Sequence, residues 1–72
     1  MAQSGGACAT IRAELARRNS TQSALAAHLQ LSQPAVSRRM AGKVAWRVGE
    51  LAAAADFFGL PASKLIDVEV VA

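Results

Sequence analysis

The chain has few of the residues that build catalytic, metal or disulfide sites. Its 72 residues include one cysteine, Cys8, and one histidine, His28, so no internal disulfide can form and too few ligands are present for a zinc site. Catalysis requires a base, a nucleophile or a metal in a cleft, and the five acidic residues are scattered along the chain. We therefore expect no enzyme, no metal or cofactor site and no small-molecule substrate.

Long apolar runs are also missing. No stretch approaches the roughly 20 apolar residues that a membrane-spanning helix needs, and residues 1–6 lack the basic and apolar segments of a secretory signal. A single cysteine suits a reducing compartment. Together these absences predict a cytoplasmic protein that does not contact a membrane.

Aromatic residues make up only 4% of the chain, although hydrophobic residues reach 53%. Alanine supplies much of that apolar share, and alanine has the highest helix propensity. The spacing of apolar residues predicts one all-α domain over residues 7–66, after a flexible leader over residues 1–6. Its five helices are predicted at 7–18, 22–29, 33–40, 47–58 and 61–66.

Capping residues support these boundaries, with Thr21 and Ser32 as N-caps and Gly42 and Gly59 as stops. The predicted core includes Cys8 as a small buried residue and Trp46 as a plug between helices three and four. In helix four the residues expected to face inward are Val48, Leu51, Ala52, Ala55 and Phe58. The tail over residues 67–72 alternates loosely, which fits a short strand and a frayed terminus equally well.

Charge is distributed unevenly about a net value of +3. Residues 1–47 hold seven of the eight basic residues and one acidic residue, whereas residues 48–72 hold the other four acidic residues. A polyanionic partner for the first two-thirds of the chain is a reasonable inference. When the charge distribution is considered by itself, a basic face exposed to solvent explains it equally well.

Helices two and three are separated only by residues 30–32, so they must cross at a steep angle. The small Ala26 allows the close approach, and the apolar Leu25 and Val36 point into a shared core. Gln33, Ser37 and Arg38 then lie on the free, polar side of helix three. This arrangement is a helix-turn-helix, which places its second helix, the recognition helix, in the DNA major groove.

Residues 21–43, TQSALAAHLQLSQPAVSRRMAGK, resemble the DNA-binding motif of Cro/C1-type (lambda-repressor-like, Xre) regulators. The Thr-Gln opening, the Leu-Ser-Gln turn, the Ala-Val-Ser-Arg segment and the closing Gly-Lys stand at the family's spacing, and a looser match extends to Ile66. The resemblance implies a compact five-helix lambda-repressor-like domain. It also implies a phage or prokaryotic repressor that binds double-stranded DNA and acts by occupying its operator. Two positions depart from the pattern: Gln30 replaces a turn glycine, and Arg39 replaces an apolar residue.

The resemblance also implies roles for individual residues. Gln33 can pair bidentately with adenine, Arg38 can pair with guanine, and Pro34 offers an apolar surface to a thymine methyl group. Ser37 lies between them, near a base edge. The residues expected to contact phosphates are Thr21, Gln22, Ser32, Arg39, Lys43 and Arg47.

Two further questions stay open at this point. An alternative function is an antitoxin or adaptor module that binds a protein, with DNA binding secondary. The oligomeric state is open: one such domain contacts only a half-site, so sequence-specific members commonly form homodimers, and the alternating residues of the tail could pair between two copies.

Overall fold

The structure, a computed structural model, describes residues 5–66. Its helices are α1 (Gly5–Arg17), α2 (Gln22–Leu29), α3 (Gln33–Met40) and α4 (Val48–Phe58), and residues 63–66 form one further helical turn. No strand occurs between residues 5 and 66. The prediction of an all-α domain with five helices is confirmed. None of the helices in this part of the chain has both the length and the apolar character needed to cross a membrane.

The first helix begins earlier than the sequence pattern indicated. Gly5 and Gly6 belong to α1, so the leader predicted over residues 1–6 overlaps the helix by these two glycines. The tail over residues 67–72, with its predicted strand and its predicted dimer contact, lies outside the described residues.

The turn between α2 and α3 has the predicted local structure. The Oγ1 atom of Thr21 accepts a hydrogen bond from the Ala24 N–H (3.1 Å), and the Oγ atom of Ser32 accepts one from the Ala35 N–H (3.2 Å). Gln30 adopts the left-handed conformation (φ 59°, ψ 38°) that the family's usual glycine would adopt more easily. This conformation ends α2 and lets α3 begin three residues later.

The core lies between the helices, with α2 packed against both α3 and α4. Cys8 and Trp46 are buried, as predicted. The buried residues are Ala7, Cys8, Ile11, Leu15, Leu25, Ala26, Val36, Met40, Trp46, Leu51, Ala54, Ala55, Phe58 and Leu65. Val36 and Met40 are the members that come from α3, so these two side chains anchor that helix to the rest of the domain.

The predicted inner face of α4 is partly wrong. Val48 is 59% exposed and Ala52 is half-buried, whereas Ala54 is fully buried. Val48 is the first residue of α4, and Trp46 from the preceding loop is buried in its place. The helix therefore turns Leu51, Ala54, Ala55 and Phe58 inward.

The C-terminal end of α3 is held by side chains of α1. The Sγ–H of Cys8 donates to the Arg39 carbonyl oxygen (3.2 Å), and Nη2 of Arg12 donates to the Met40 carbonyl oxygen (3.3 Å). The Trp46 indole N–H donates in turn to Cys8 Sγ (3.4 Å). Arg12 thus satisfies a carbonyl group at the end of α3, and Cys8 gives the Arg39 carbonyl a second donor beside the Gly42 N–H (3.1 Å).

Replacing the cap of α3 should destabilise the domain. In the Ser32→Ala variant the Ala35 N–H loses its acceptor, which we expect to lower the free energy of unfolding by about 1 kcal/mol. Urea unfolding followed by circular dichroism measures the change. Ser37→Ala is the matched control, because Ser37 is exposed within α3 and makes no side-chain hydrogen bond to a described residue; its effect should stay within about 0.5 kcal/mol. Equal losses in the two variants would contradict the capping role.

Candidate nucleic-acid interface

The outward side of α3 carries the four residues predicted to contact bases. Gln33, Pro34, Ser37 and Arg38 are all exposed. They lie on this side because Val36 and Met40, one helical turn apart, face the core. Within residues 5–66 no hydrogen bond or ion pair involves the side chains of Gln33, Ser37 or Arg38. Their donors and acceptors therefore remain available to a ligand.

A cationic loop adjoins this face. Gly42 has a positive φ of 80°, a conformation that a glycine adopts without strain, and the Lys43 N–H donates to the Arg38 carbonyl oxygen (2.9 Å). This bond fixes Lys43 beside the base-contact candidate Arg38. Lys43 and Arg47 are both exposed, at the two ends of residues 43–47.

The helix N-termini of the motif are also suited to phosphate. Neither α2 nor α3 has an acidic residue in its first turn, so the positive end of each helix dipole is not offset locally. Thr21 and Ser32 use one acceptor position as caps, and each hydroxyl keeps its O–H donor. Gln22, half-buried, is the first residue of α2. Thr21, Gln22 and Ser32 thus lie at the helix N-termini, and their phosphate contacts stay predictions.

Arg39 differs from the other predicted phosphate contacts. Its Nε and Nη2 donate to the two carboxylate oxygens of Glu50 (2.9 and 3.2 Å), and its Nη1 donates to the Ala35 carbonyl oxygen (2.9 Å). The side chain is only 12% exposed. Three of the five N–H donors of the guanidinium are thus used inside the protein, and the phosphate contact of Arg39 stays a prediction.

Glu50 is the residue of this region that the sequence interpretation missed. Its Oε1 atom also accepts the backbone N–H of Arg47 (3.0 Å), which satisfies a free donor at the start of α4 in the manner of a capping box. A glutamate three residues after the N-cap is a known signal for this contact, and the spacing from Arg47 to Glu50 could have revealed it. The negative charge of Glu50 is offset by its ion pair with Arg39.

The other ion pairs among residues 5–66 lie away from α3. Glu14 binds Arg17 and Arg18 (3.2 and 2.8 Å), and Asp56 lies 3.2 Å from His28 Nε2. Hydrogen bonding from Arg18 is the largest cause that lowers the pKa of Glu14. Burial raises the pKa of Glu50. The Arg47 N–H and the Arg39 guanidinium together lower this pKa by more than burial raises it, so the net shift is downward.

Acid should weaken the contribution of Glu50 to stability. A carboxyl group with a lowered pKa in the folded protein stabilises it above the ordinary value of 4.5, and this contribution is lost as the pH falls through the lowered pKa. The difference in free energy of unfolding between the wild type and Glu50→Gln should therefore shrink between about pH 7 and about pH 3. Urea unfolding at both pH values measures it. A difference that stays constant would show that the charge of Glu50 does not stabilise the fold.

Comparison with known families gives one match. The profile of the BetR domain matches residues 8–70 of the chain, a span that includes every residue predicted to contact DNA. No curated protein and no solved structure matches the chain significantly.

Proposed function

Because the chain belongs to the BetR domain family, a family of helix-turn-helix DNA-binding domains, we propose that it is a sequence-specific transcription regulator. In this proposal α3 enters the major groove of double-stranded DNA. The protein acts as a Cro/C1-type repressor of phage or prokaryotic origin in the cytoplasm, and it blocks polymerase by occupying an operator. Its activity is binding, without catalysis.

The observation that carries the proposal is the free polar side of α3. Gln33, Ser37 and Arg38 are exposed and have no partner among residues 5–66. A glutamine can donate to and accept from adenine, and an arginine can donate two hydrogen bonds to guanine. Pro34, also exposed, offers an apolar contact for a thymine methyl group.

Residues around this side would fix the position of the domain on the duplex. Lys43 and Arg47 flank α3 from the loop, and the N-termini of α2 and α3 present Thr21, Gln22 and Ser32. Contacts to phosphate carry no sequence information, but they set the register in which α3 meets the bases. Such contacts also make the affinity depend on salt.

We also propose that two copies bind together, since one such domain reads a half-site and paired half-sites lie about 34 Å apart. The alternating residues of the tail, 67–72, support it as the dimer contact. A chain ending at residue 66 should then sediment as a monomer and bind the operator more weakly. Unchanged sedimentation and affinity would remove the tail from the proposal.

Selection from a random pool of DNA duplexes tests the proposed function. We expect repeated selection to enrich one sequence, with a palindrome if two copies bind. A pool that remains unenriched while the protein still retains DNA would contradict sequence-specific regulation.

Single substitutions should separate base contacts from phosphate contacts. We expect Arg38→Ala to cost roughly 1–3 kcal/mol on the enriched duplex and to relax discrimination at one base pair. Lys43→Ala should weaken binding to all sequences alike and reduce the slope of log affinity against log salt by about one unit. Fluorescence anisotropy at several salt concentrations measures both effects.

Lys64→Ala is the matched control for Lys43→Ala, because Lys64 is an exposed lysine in the helical turn over residues 63–66. It should leave affinity and salt dependence nearly unchanged. If Arg38→Ala kept the full preference for the enriched sequence, Arg38 would not read a base.

A further inference from the structure

Arg39 and Glu50 form the polar connection between α3 and α4. Two of the guanidinium nitrogens bind the two carboxylate oxygens at 2.9 and 3.2 Å, and the side chains are 12% and 16% exposed. No other hydrogen bond or ion pair joins α3 to α4 within the described part of the chain. The relative orientation of the two helices therefore depends on this pair and on their separate contacts with α2 and the core.

The pair is held in place at both ends. The third guanidinium nitrogen, Nη1, donates to the Ala35 carbonyl oxygen inside α3 (2.9 Å), and Glu50 Oε1 also accepts the Arg47 N–H at the start of α4 (3.0 Å). A bidentate contact has little freedom to rotate. These bonds thus make a continuous connection from the middle of α3 to the first turn of α4.

This connection closes the loop over residues 41–47. Arg39 lies in the last turn of α3 and Glu50 in the first turn of α4, so the pair joins the two ends of the segment that carries Lys43 and Arg47. The N–H of Lys43 is bound in addition to the Arg38 carbonyl oxygen (2.9 Å). The pair therefore sets the spacing between the exposed side of α3 and the two cations of the loop.

We propose that Arg39 and Glu50 are positioning residues for DNA recognition, which hold the outward side of α3 in register with Lys43 and Arg47 without contacting DNA themselves. The inference rests on the proposed function. Loss of the pair leaves the cationic surface in place, so general attraction to DNA persists. The preference for one sequence declines, because base contacts need α3 and the phosphate contacts to engage together.

Simple electrostatics predicts the opposite effect on DNA affinity when Glu50 is replaced. Removing a carboxylate from a DNA-binding surface reduces repulsion and tightens binding to every duplex. If Arg39 contacted phosphate directly, replacing Arg39 would weaken binding to every duplex, whereas replacing Glu50 would free the guanidinium and would not weaken binding. Positioning predicts that both replacements weaken binding to the selected duplex, and that the second replacement adds little to the first.

The experiment uses the full chain and the variants Glu50→Gln, Arg39→Gln and the double variant. The probes are the duplex most enriched in the selection and a mixed-sequence duplex of equal length, with fluorescence anisotropy as the measurement. Each variant should bind the enriched duplex roughly 2- to 30-fold more weakly, the range seen for residues that modulate binding without contact. The mixed-sequence duplex should change by less than about twofold, and the double variant should match the single ones.

Glu14→Gln is the matched control, since it removes a carboxylate from the ion pairs with Arg17 and Arg18 on α1. It should not weaken binding to either duplex. Circular dichroism confirms that each variant is folded at the assay temperature. If Glu50→Gln is unfolded there, Glu50→Asp replaces it, because the shorter side chain keeps the charge but cannot maintain both contacts with Arg39.

The possible results separate the two proposals. A wild-type chain that enriches no duplex overturns the proposed function and this inference with it. Enrichment by the wild type, followed by equal or tighter binding of the enriched duplex by Glu50→Gln, overturns the positioning role alone. Additive effects of the two replacements on affinity also overturn the positioning role alone. An equal loss of affinity for the enriched and the mixed-sequence duplex overturns it as well.

Discussion

The structure of this domain depends on how its surroundings stabilise α3, a helix too short to be stable alone. α3 has eight residues, and isolated helices shorter than about 12–15 residues are marginal in water. It forms here because Val36 and Met40 are buried and because both ends are satisfied. Ser32 caps the N-terminus, while Cys8 and Arg12 bind carbonyl groups at the C-terminus.

The outward side of α3 takes no part in holding the helix in place. One side of the helix packs in the core, its ends are capped, and Arg39 on its flank pairs with Glu50. Gln33, Ser37 and Arg38 are consequently exposed and uncommitted, an arrangement that a binding surface needs and that stability alone does not require. A rigid helix with free polar groups also loses little conformational entropy when it binds.

Local sequence signals predicted the motif itself well. The caps at Thr21 and Ser32 each depend on contacts among residues a few positions apart, so their side chains and spacing are sufficient to indicate them. Burial of Trp46 and Cys8 was also predicted, because large apolar and small sulfur-containing side chains are seldom left in water. The all-α class followed from the same helical spacing.

Spacing alone did not indicate which side of α4 faces the core. Val48 falls at a position that fits the apolar period, yet it remains 59% exposed, whereas Trp46 two residues earlier is buried. The pairing of Arg39 with Glu50, and the bonds from α1 to α3 across 31 and 28 residues, likewise depend on how the helices pack. The sequence by itself therefore determined the helices, the caps of α2 and α3 and the face of α3 that is polar. Only the tertiary structure decided which charged side chains remain free for a ligand. Whether a charged side chain forms an ion pair depends on neighbours that are distant along the chain.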